Sequence, residues 1–143
     1  VARESEGSYP LRVITTTVDK LAGFGHFARR LRDFSGDFLN ATGKVLVGGT
    51  LNLKADREIK IREHFRMLDP WINENQVLQF EVCRLLGTWA YRVRPLKLDG
   101  SGLGGHGDDT LEIMCAKWIL KDGRLLQHGD LVVVEFFGNE ISG

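Results

Sequence analysis

The sequence predicts a mainly β protein, a small single-domain barrel of about six strands in mixed order with short helices. Three observations carry that fold class. Short runs rich in β-branched and aromatic residues recur along the chain, bounded by Gly, Pro and Asp clusters. Strands do not alternate with long amphipathic helices, so the βαβ pattern of a parallel sheet is absent. The chain has 143 residues, enough for one compact domain that buries roughly two thirds of its unfolded surface without a disulfide or metal staple. No internal repeat or second domain is visible.

Residues 1 to 10 are polar, end in Pro10 and read as a flexible N-terminal segment; residues 11 to 143 form the barrel domain. Leu11 to Val18 (LRVITTTV) is rich in β-branched residues and predicts the first strand. Between Leu21 and Leu31, Gly23 and Gly25 break that strand, and Phe27, Ala28 and Leu31 continue as a short helical pattern. Asp33 to Gly43 reads as a loop anchored by Phe34 and Phe38. Lys44 to Lys54 is a strand interrupted by Gly48-Gly49, which predicts a bulge or a close backbone approach. Asp56 to Met67 is charged with sparse apolar residues, and Pro70-Trp71 closes it.

Val77 to Leu85 and Thr88 to Arg94 are two further strands, joined by a hairpin-like turn at Leu86-Gly87. Residues 99 to 109 (DGSGLGGHGDD) hold five glycines and form a flexible loop. Thr110 to Ala116 is a strand, Lys117 to Leu126 a short helix or turn region, and Asp130 to Phe137 the last strand. Leu126-Gln127-His128-Gly129-Asp130 is the turn that delivers this closing strand. Gly23-Phe24-Gly25 lacks the third glycine and the long following helix of a dinucleotide-binding fingerprint.

Composition removes several function classes. Lys plus Arg equals Asp plus Glu at 19 each, so the electrostatic footprint of a nonspecific nucleic-acid binder is missing. The longest apolar runs, such as Leu131 to Val134, are far shorter than a membrane span, and no secretory signal opens the chain. The chain reads as soluble and cytoplasmic, with no nucleic-acid, membrane or obligate protein partner. Cys83 and Cys115 lie in strand-like apolar runs away from other metal-ligand residues and read as buried free thiols, with a disulfide as the alternative. The sequence opens on Val1 rather than Met, which leaves room for an upstream segment.

The most informative stretch is Gly48-Gly49-Thr50-Leu51-Asn52-Leu53. Thr50 and Asn52 stand at i and i+2 of an apolar, β-prone run, so an extended backbone turns both side chains to one face. Two neutral oxygen ligands on one face suit Mg²⁺ when nucleotide phosphates supply the remaining ligands and the negative charge. The competing reading is a Thr and an Asn on the polar face of an ordinary strand.

Several motifs in order resemble the archaeal CTP-dependent riboflavin kinases, small cradle-loop β-barrels, over most of residues 14 to 137. Gly23-Phe24-Gly25-His26-Phe27 after Val18 resembles the family's glycine-rich loop. Gly49-Thr50-Leu51-Asn52-Leu53-Lys54-Ala55-Asp56-Arg57-Glu58 is similar to its central signature, and Arg92 to Leu98 (RVRPLKL) to the strand and exit that follow. His106, Asp109 and Leu111-Glu112-Ile113 resemble the pattern before the second nucleotide-binding segment, and Asp130-Leu131-Val132 the closing strand. The resemblance implies that Thr50 and Asn52 coordinate the metal. It implies that Leu21, Ala22, Gly23, Phe24, Gly25 and His26 wrap the nucleotide, that Ala116, Lys117, Trp118 and Ile119 close over its base, and that Glu112 faces the flavin or the transferred phosphate. The chain departs from the family at Leu21, where a glycine is usual, at Gly104-Gly105, where polar residues are expected, and at Ala116, where a proline is common.

Each candidate has a structural reading beside the functional one. Gly23 and Gly25 let backbone N–H groups converge on a phosphate, or form a simple turn. Arg29 and Arg30 reach phosphate oxygens, or lie on a solvated helix face. His26 and His106 are base candidates by their titration range, or hydrogen-bonding and packing residues; His106 is also a substrate-binding candidate. Phosphoryl transfer depends chiefly on alignment and charge neutralisation. Glu112, in the apolar strand Leu111 to Met114, is therefore the candidate that positions or deprotonates the acceptor hydroxyl; strand alternation allows it equally to face outward. Asp56, Arg57 and Glu58 read as a mutual ion-pair cluster, and Asp108-Asp109 as a second cation site or a solvated loop. Trp71, Trp89 and Trp118 are core candidates, with stacking on a base as the sharper alternative for Trp118.

The expected function is a CTP-dependent riboflavin kinase using Mg²⁺, with CTP as donor, riboflavin as acceptor and loop 99 to 109 as a lid. The alternatives are a kinase that uses CTP or another nucleoside triphosphate on a different small alcohol, and a noncatalytic nucleotide- or flavin-binding barrel.

Overall fold

The computed structural model describes residues 10–20, 26–71, 75–100, 102–103 and 107–138. Ten strands and two short helices follow in chain order among them. They are β1 (Arg12–Lys20), α1 (His26–Asp33), α2 (Ser35–Thr42), β2 (Val47–Ala55), β3 (Phe65–Leu68), β4 (Gln76–Leu85), β5 (Thr88–Lys97), β6 (Gly102–Leu103), β7 (Thr110–Cys115), β8 (Leu120–Lys121), β9 (Arg124–Leu125) and β10 (Leu131–Phe136). Six strands close a barrel in the order β4-β10-β1-β2-β7-β5, and β5 returns to β4; every pairing is antiparallel. β3 extends the sheet from β4 and β6 from β5. Closure leaves the six ring strands without a free edge along most of their length.

Strand alternation divides the buried residues into two layers. The barrel interior holds Ile14, Val18, Leu51, Leu53, Leu85, Leu111, Ile113, Val132, Val134 and Phe136. The outer surface of the β4-β5-β7 wall carries Leu78, Phe80, Val82, Tyr91, Val93 and Met114, and Phe27 and Leu31 of α1 and Phe38 of α2 pack onto it. A helix laid across one side of the barrel explains why β4 is buried on both faces.

The predicted irregularity at Gly48-Gly49 and the predicted turn at Leu86-Gly87 are both present. The β2–β7 register jumps from Val47 opposite Cys115 to Thr50 opposite Met114, so Gly48-Gly49 form the bulge. Leu86 (φ 48°) and Gly87 (φ 73°) both take the left-handed conformation that a two-residue hairpin turn requires.

One expectation is corrected and one is narrowed. Asp33 to Gly43 is not a loop, because Ser35–Thr42 form α2. Its weak helix formers are outweighed by burial of Phe38, by the Thr42 hydroxyl donating to the Phe38 carbonyl (2.8 Å) and by a left-handed Gly43 whose N–H donates to the Leu39 carbonyl (2.7 Å). Of the two alternatives for Lys117 to Leu126, a short helix or a turn region, the turn is present, as the β8–β9 hairpin turned at Asp122 (φ 52°) and Gly123 (φ 78°). The charged stretch before Pro70 adds β3, and the glycine-rich loop 99–109 contributes β6 against the end of β5.

Candidate functional site

The bulge shifts the β2 alternation so that Leu51, Leu53 and Ala55 enter the barrel and Asn52 faces outward. The β2–β7 register then sets Asn52 directly opposite Glu112, and β5 places Val93 on the other side of Glu112. Residues opposed in this way have Cβ atoms about 4.5 to 5.5 Å apart, on one face of the sheet. Two of the sequence-predicted site residues, one from each side of a 60-residue separation, are thus neighbours. Both lie outside the barrel yet are deeply buried, Asn52 with 7% and Glu112 with 8% of its surface exposed. α1 packs against β2, and its Phe27 and Leu31 join Val93 and Met114, the apolar neighbours of Glu112 on that face.

Thr50 occupies β2 two residues before Asn52, opposite Met114; its side chain lies outside the described part of the structure. β1 also carries a bulge here, between Val18 and Lys20, which sets Lys20 opposite Asn52. The chain from that end of β1 to the start of α1 runs through Leu21, Ala22, Gly23, Phe24 and Gly25, which lie outside the described residues, as does the side chain of His26. His106 lies outside them too.

The segment after β7 starts beside the bulge, because Cys115 pairs with Val47. Ala116 packs partly buried against the outer apolar layer, Lys117 and Trp118 are exposed, and the Ile119 side chain is buried in the barrel interior. A ligand over this segment therefore meets Trp118 and Lys117 as side chains and Ile119 only through its backbone. Lys44, at the approach to β2, has its ammonium 5.6 Å from the centre of the Tyr91 ring. Partial burial and then the charge of Lys117 lower its pKa, so the two ammonium groups share one neighbourhood.

Arg30 takes neither of its expected roles. Its guanidinium is buried and bidentate on Asp69, Nε to Oδ1 at 3.0 Å and Nη2 to Oδ2 at 2.7 Å. It stacks at 4.6 Å on Phe27 and 4.8 Å on Trp71. Asp69 also accepts the Gln76 amide (2.7 Å) and the Trp71 N–H (3.0 Å). Burial acts to raise the Asp69 pKa, but the hydrogen bonds from Arg30, Trp71 and Gln76 and the Arg30 charge together take it below the ordinary carboxylate range. Nothing in the local sequence signals this pair, whose members stand 39 residues apart. Arg29, one position away, is exposed.

A second polar group fills one end of the barrel interior. Glu81 accepts the Arg12 guanidinium and the Arg62 N–H (2.9 Å), and Arg92 stands opposite it on β5. Arg92 donates to the Ile59 carbonyl and, at 3.3 Å, to the Asp108 carbonyl, while Arg94 Nε lies 2.7 Å from Asp108 Oδ1. Burial lowers the Arg92 pKa to about 10 against the pull of Glu81 and Asp108. Asp109 pairs with Lys54 at 2.7 Å. Asp108 and Asp109 therefore anchor the end of the 99–109 loop through cationic side chains. Asp56 and Arg57 pair at 3.0 Å, as expected.

Among the described residues no cluster of three or more His, Cys, Asp or Glu is arranged to hold a metal. The donors at the bulged face are a carboxamide and a carboxylate, hard oxygen ligands of the kind Mg²⁺ takes. Mg²⁺ is commonly held by one or two protein groups with phosphate and water completing its octahedron, so this small donor set fits it. No helix among the described residues is long and apolar enough to cross a membrane. The chain matches no protein-family model, and no curated protein matches it.

Proposed function

We propose that this chain is a Mg²⁺-dependent phosphotransferase of the cytoplasm that moves the γ-phosphoryl group of CTP to the 5′-hydroxyl of riboflavin, giving FMN and CDP. The observation that carries the reading is the Asn52–Glu112 pair, a buried carboxamide and carboxylate aligned on one outer face beside a glycine bulge. Motif order supports the choice of CTP and riboflavin, through the resemblance of Gly49 to Glu58 and its flanking segments to the archaeal riboflavin kinases.

Asn52, with Thr50 beside it on β2, would hold Mg²⁺, which when bound neutralises charge on the β- and γ-phosphates. Glu112 accepts the proton of the attacking hydroxyl as the new P–O bond forms. The bond from the γ-phosphorus to the β,γ-bridging oxygen breaks, and its electron pair leaves on CDP. Burial of the pair beneath α1 excludes water, which would otherwise compete as the acceptor. Trp118 and Lys117 present a stacking surface and a cation where the base and phosphates of the donor would emerge.

Incubation with riboflavin, Mg²⁺ and each of the four ribonucleoside triphosphates separately, with mass detection of the product, tests the proposal. FMN formed with CTP is the expected outcome. Riboflavin left unchanged while another small alcohol is phosphorylated would move the acceptor. Binding of nucleotide or flavin with no turnover would replace the enzyme by a noncatalytic barrel.

A further inference from the structure

The helices cover the β4-β5-β7 wall; among the described residues β1 and β10, on the opposite side of the ring, carry no such layer. Alternation buries Ile14, Val18, Val132 and Val134 in the barrel. It turns outward Leu11, just before β1, with Val13, Thr15 and Thr17 of β1 and Leu131 and Val133 of β10. The register sets Thr15 opposite Val133 and Thr17 opposite Leu131, so these six form one continuous face. Leu11 (59%), Val13 (56%), Leu131 (58%) and Val133 (45%) each keep about half of their surface exposed, at positions where a water-facing antiparallel sheet ordinarily carries polar residues. The charges beside this face are paired within the chain. Arg84 meets Glu135 at 2.9 Å toward β4, Lys54 meets Asp109 at 2.7 Å toward β2, and Arg124 meets Asp130 at 2.9 Å at the start of β10. Lys121 donates to the Leu131 carbonyl (2.8 Å), and Asp19 at the end of β1 adds an exposed carboxylate.

We infer that the β1–β10 face is the contact between two copies of this chain, packed sheet on sheet about a two-fold axis. Charge and area both select that occupant. A rim of internally paired charges with one added carboxylate gives no cationic cluster to an anionic lipid surface or a nucleic acid, and it fits a partner that is itself apolar and neutral. A second copy presents the same face by construction, and a chain of formal net charge +0 has no overall repulsion to hold the copies apart. Four half-exposed aliphatic side chains, with the methyl groups of Thr15 and Thr17, gather on the order of 400 Å² of apolar surface, within the range of a functional patch. An interface about 65% apolar that covers this patch buries roughly 600 Å² per copy, at the lower end of specific contacts. The dimer is accordingly weak and reversible, with a dissociation constant on the order of 10 to 100 µM.

Sedimentation equilibrium of the full chain, from about 1 to 500 µM, tests this contact over a range that brackets the expected dissociation constant. The weight-average mass should rise with concentration from 16.1 kDa toward twice that value. Val133→Lys sets like charges against each other across the two-fold axis and should raise the dissociation constant on the order of a hundredfold, with the melting curve little changed because the position is exposed. Val13→Thr keeps the β-branched shape, removes apolar surface and should weaken the dimer severalfold; it decides the matter if the lysine variant folds poorly. Leu39→Lys, on the exposed side of α2 across the molecule, should dimerise as the unaltered chain does. A chain that stays monomeric throughout overturns the inference, and if that monomer floats with phosphatidylcholine vesicles, lipid replaces the second copy as the occupant. A dimer that survives both Val133→Lys and Val13→Thr unaltered, or that Leu39→Lys weakens as much as they do, overturns it as well, because the contact then lies on another face.

Discussion

Replacing Glu81 by Ala tests whether the barrel is held by its interior charges as well as by its apolar residues. Glu81 is fully buried and serves two donors, the Arg12 guanidinium and the Arg62 N–H, with Arg92 opposite. The Arg12 side chain keeps 24% of its surface exposed and can turn to water, but that of Arg92 keeps none. Removing one partner of a buried ion pair costs about 3 to 5 kcal/mol, because the remaining charge stays desolvated. At about 3 °C per kcal/mol for a domain of this size, the melting temperature of Glu81→Ala falls by roughly 10 to 15 °C. Glu81→Gln keeps the shape and an acceptor for the Arg62 N–H, and loses about 1 to 3 kcal/mol. The pH profile supplies an independent signature. Burial raises the Glu81 pKa, so the folded chain holds this proton more tightly than the unfolded one. The stabilisation from Glu81 protonation is complete below the unfolded value and is lost as pH rises through the folded one; Glu81→Gln removes that loss. Urea and thermal unfolding across pH 4 to 8 read all three quantities. A Glu81→Ala midpoint within about 1 kcal/mol of the unaltered chain would refute the reasoning, since this is the scale of an ordinary surface change.

Asn52→Ala and Thr50→Ala each lower turnover of CTP and riboflavin by about a hundredfold or more with the melting curve little changed, as mass detection of FMN will show; full activity in both removes the metal assignment. Glu112→Gln keeps the size of the side chain and reduces kcat by about a hundredfold, followed in single-turnover experiments with CTP at saturation. Cys83 and Cys115 resist alkylation in the native chain and both react on denaturation, because burial raises the thiol pKa of Cys115 to about 12 and that of Cys83 well above the ordinary range. They form no disulfide under oxidation. Both pair with Ala90, from opposite sides, so their Cα atoms are two strand spacings apart, roughly 9 to 10 Å, against the 7 Å limit. Asp69 contributes the opposite pH signature to Glu81: its lowered pKa gives stability that is present above the unfolded value and lost as pH falls through the folded one, and Asp69→Asn flattens that acid limb.

The strands were legible because each carries its own signal. β4 and β5 are long stretches rich in apolar, β-branched and aromatic residues joined by Leu86-Gly87, and the bulge announces itself as adjacent glycines in a β-prone strand. α2 was not legible, since Gly36, Asp37 and Asn40 are poor helix formers and the decisive term is the burial of Phe38, a tertiary contact. The β8–β9 hairpin was missed because two-residue strands are too short to show a period. Within the site, Thr50 and Asn52 followed from spacing along one strand. Their proximity to Glu112 depends on the pairing of β2 with β7, which strand alternation cannot supply. Arg30 illustrates the same limit more sharply: its neighbours in sequence suggested a ligand or solvent, and its partner is a carboxylate contributed by the β3–β4 connection.

The interior charges and the proposed site are linked through register. On β5 and β7, Val93 and Glu112 face outward while Arg92 and Ile113, the adjacent opposed pair, face the barrel interior. A slip of one residue would turn every side chain of a strand to the other face, bringing Glu112 into the apolar interior and Arg92 out of reach of Glu81 and Asp108. An all-apolar interior would penalise such a slip only through lost packing. Arg92 adds a directional requirement, since its two terminal nitrogens find acceptors only when Ile59 and Asp108 present their carbonyls, with Glu81 opposite on β4. The buried cluster thus acts as a register key for the strands that bring Asn52 and Glu112 together. A register key also accounts for a costly group of charges in a barrel whose size already permits an apolar core. It separates two kinds of variant: loss of Glu81 weakens the fold while molecules that remain folded keep the Asn52–Glu112 pair, whereas loss of Asn52 or Glu112 spares the fold and removes the chemistry.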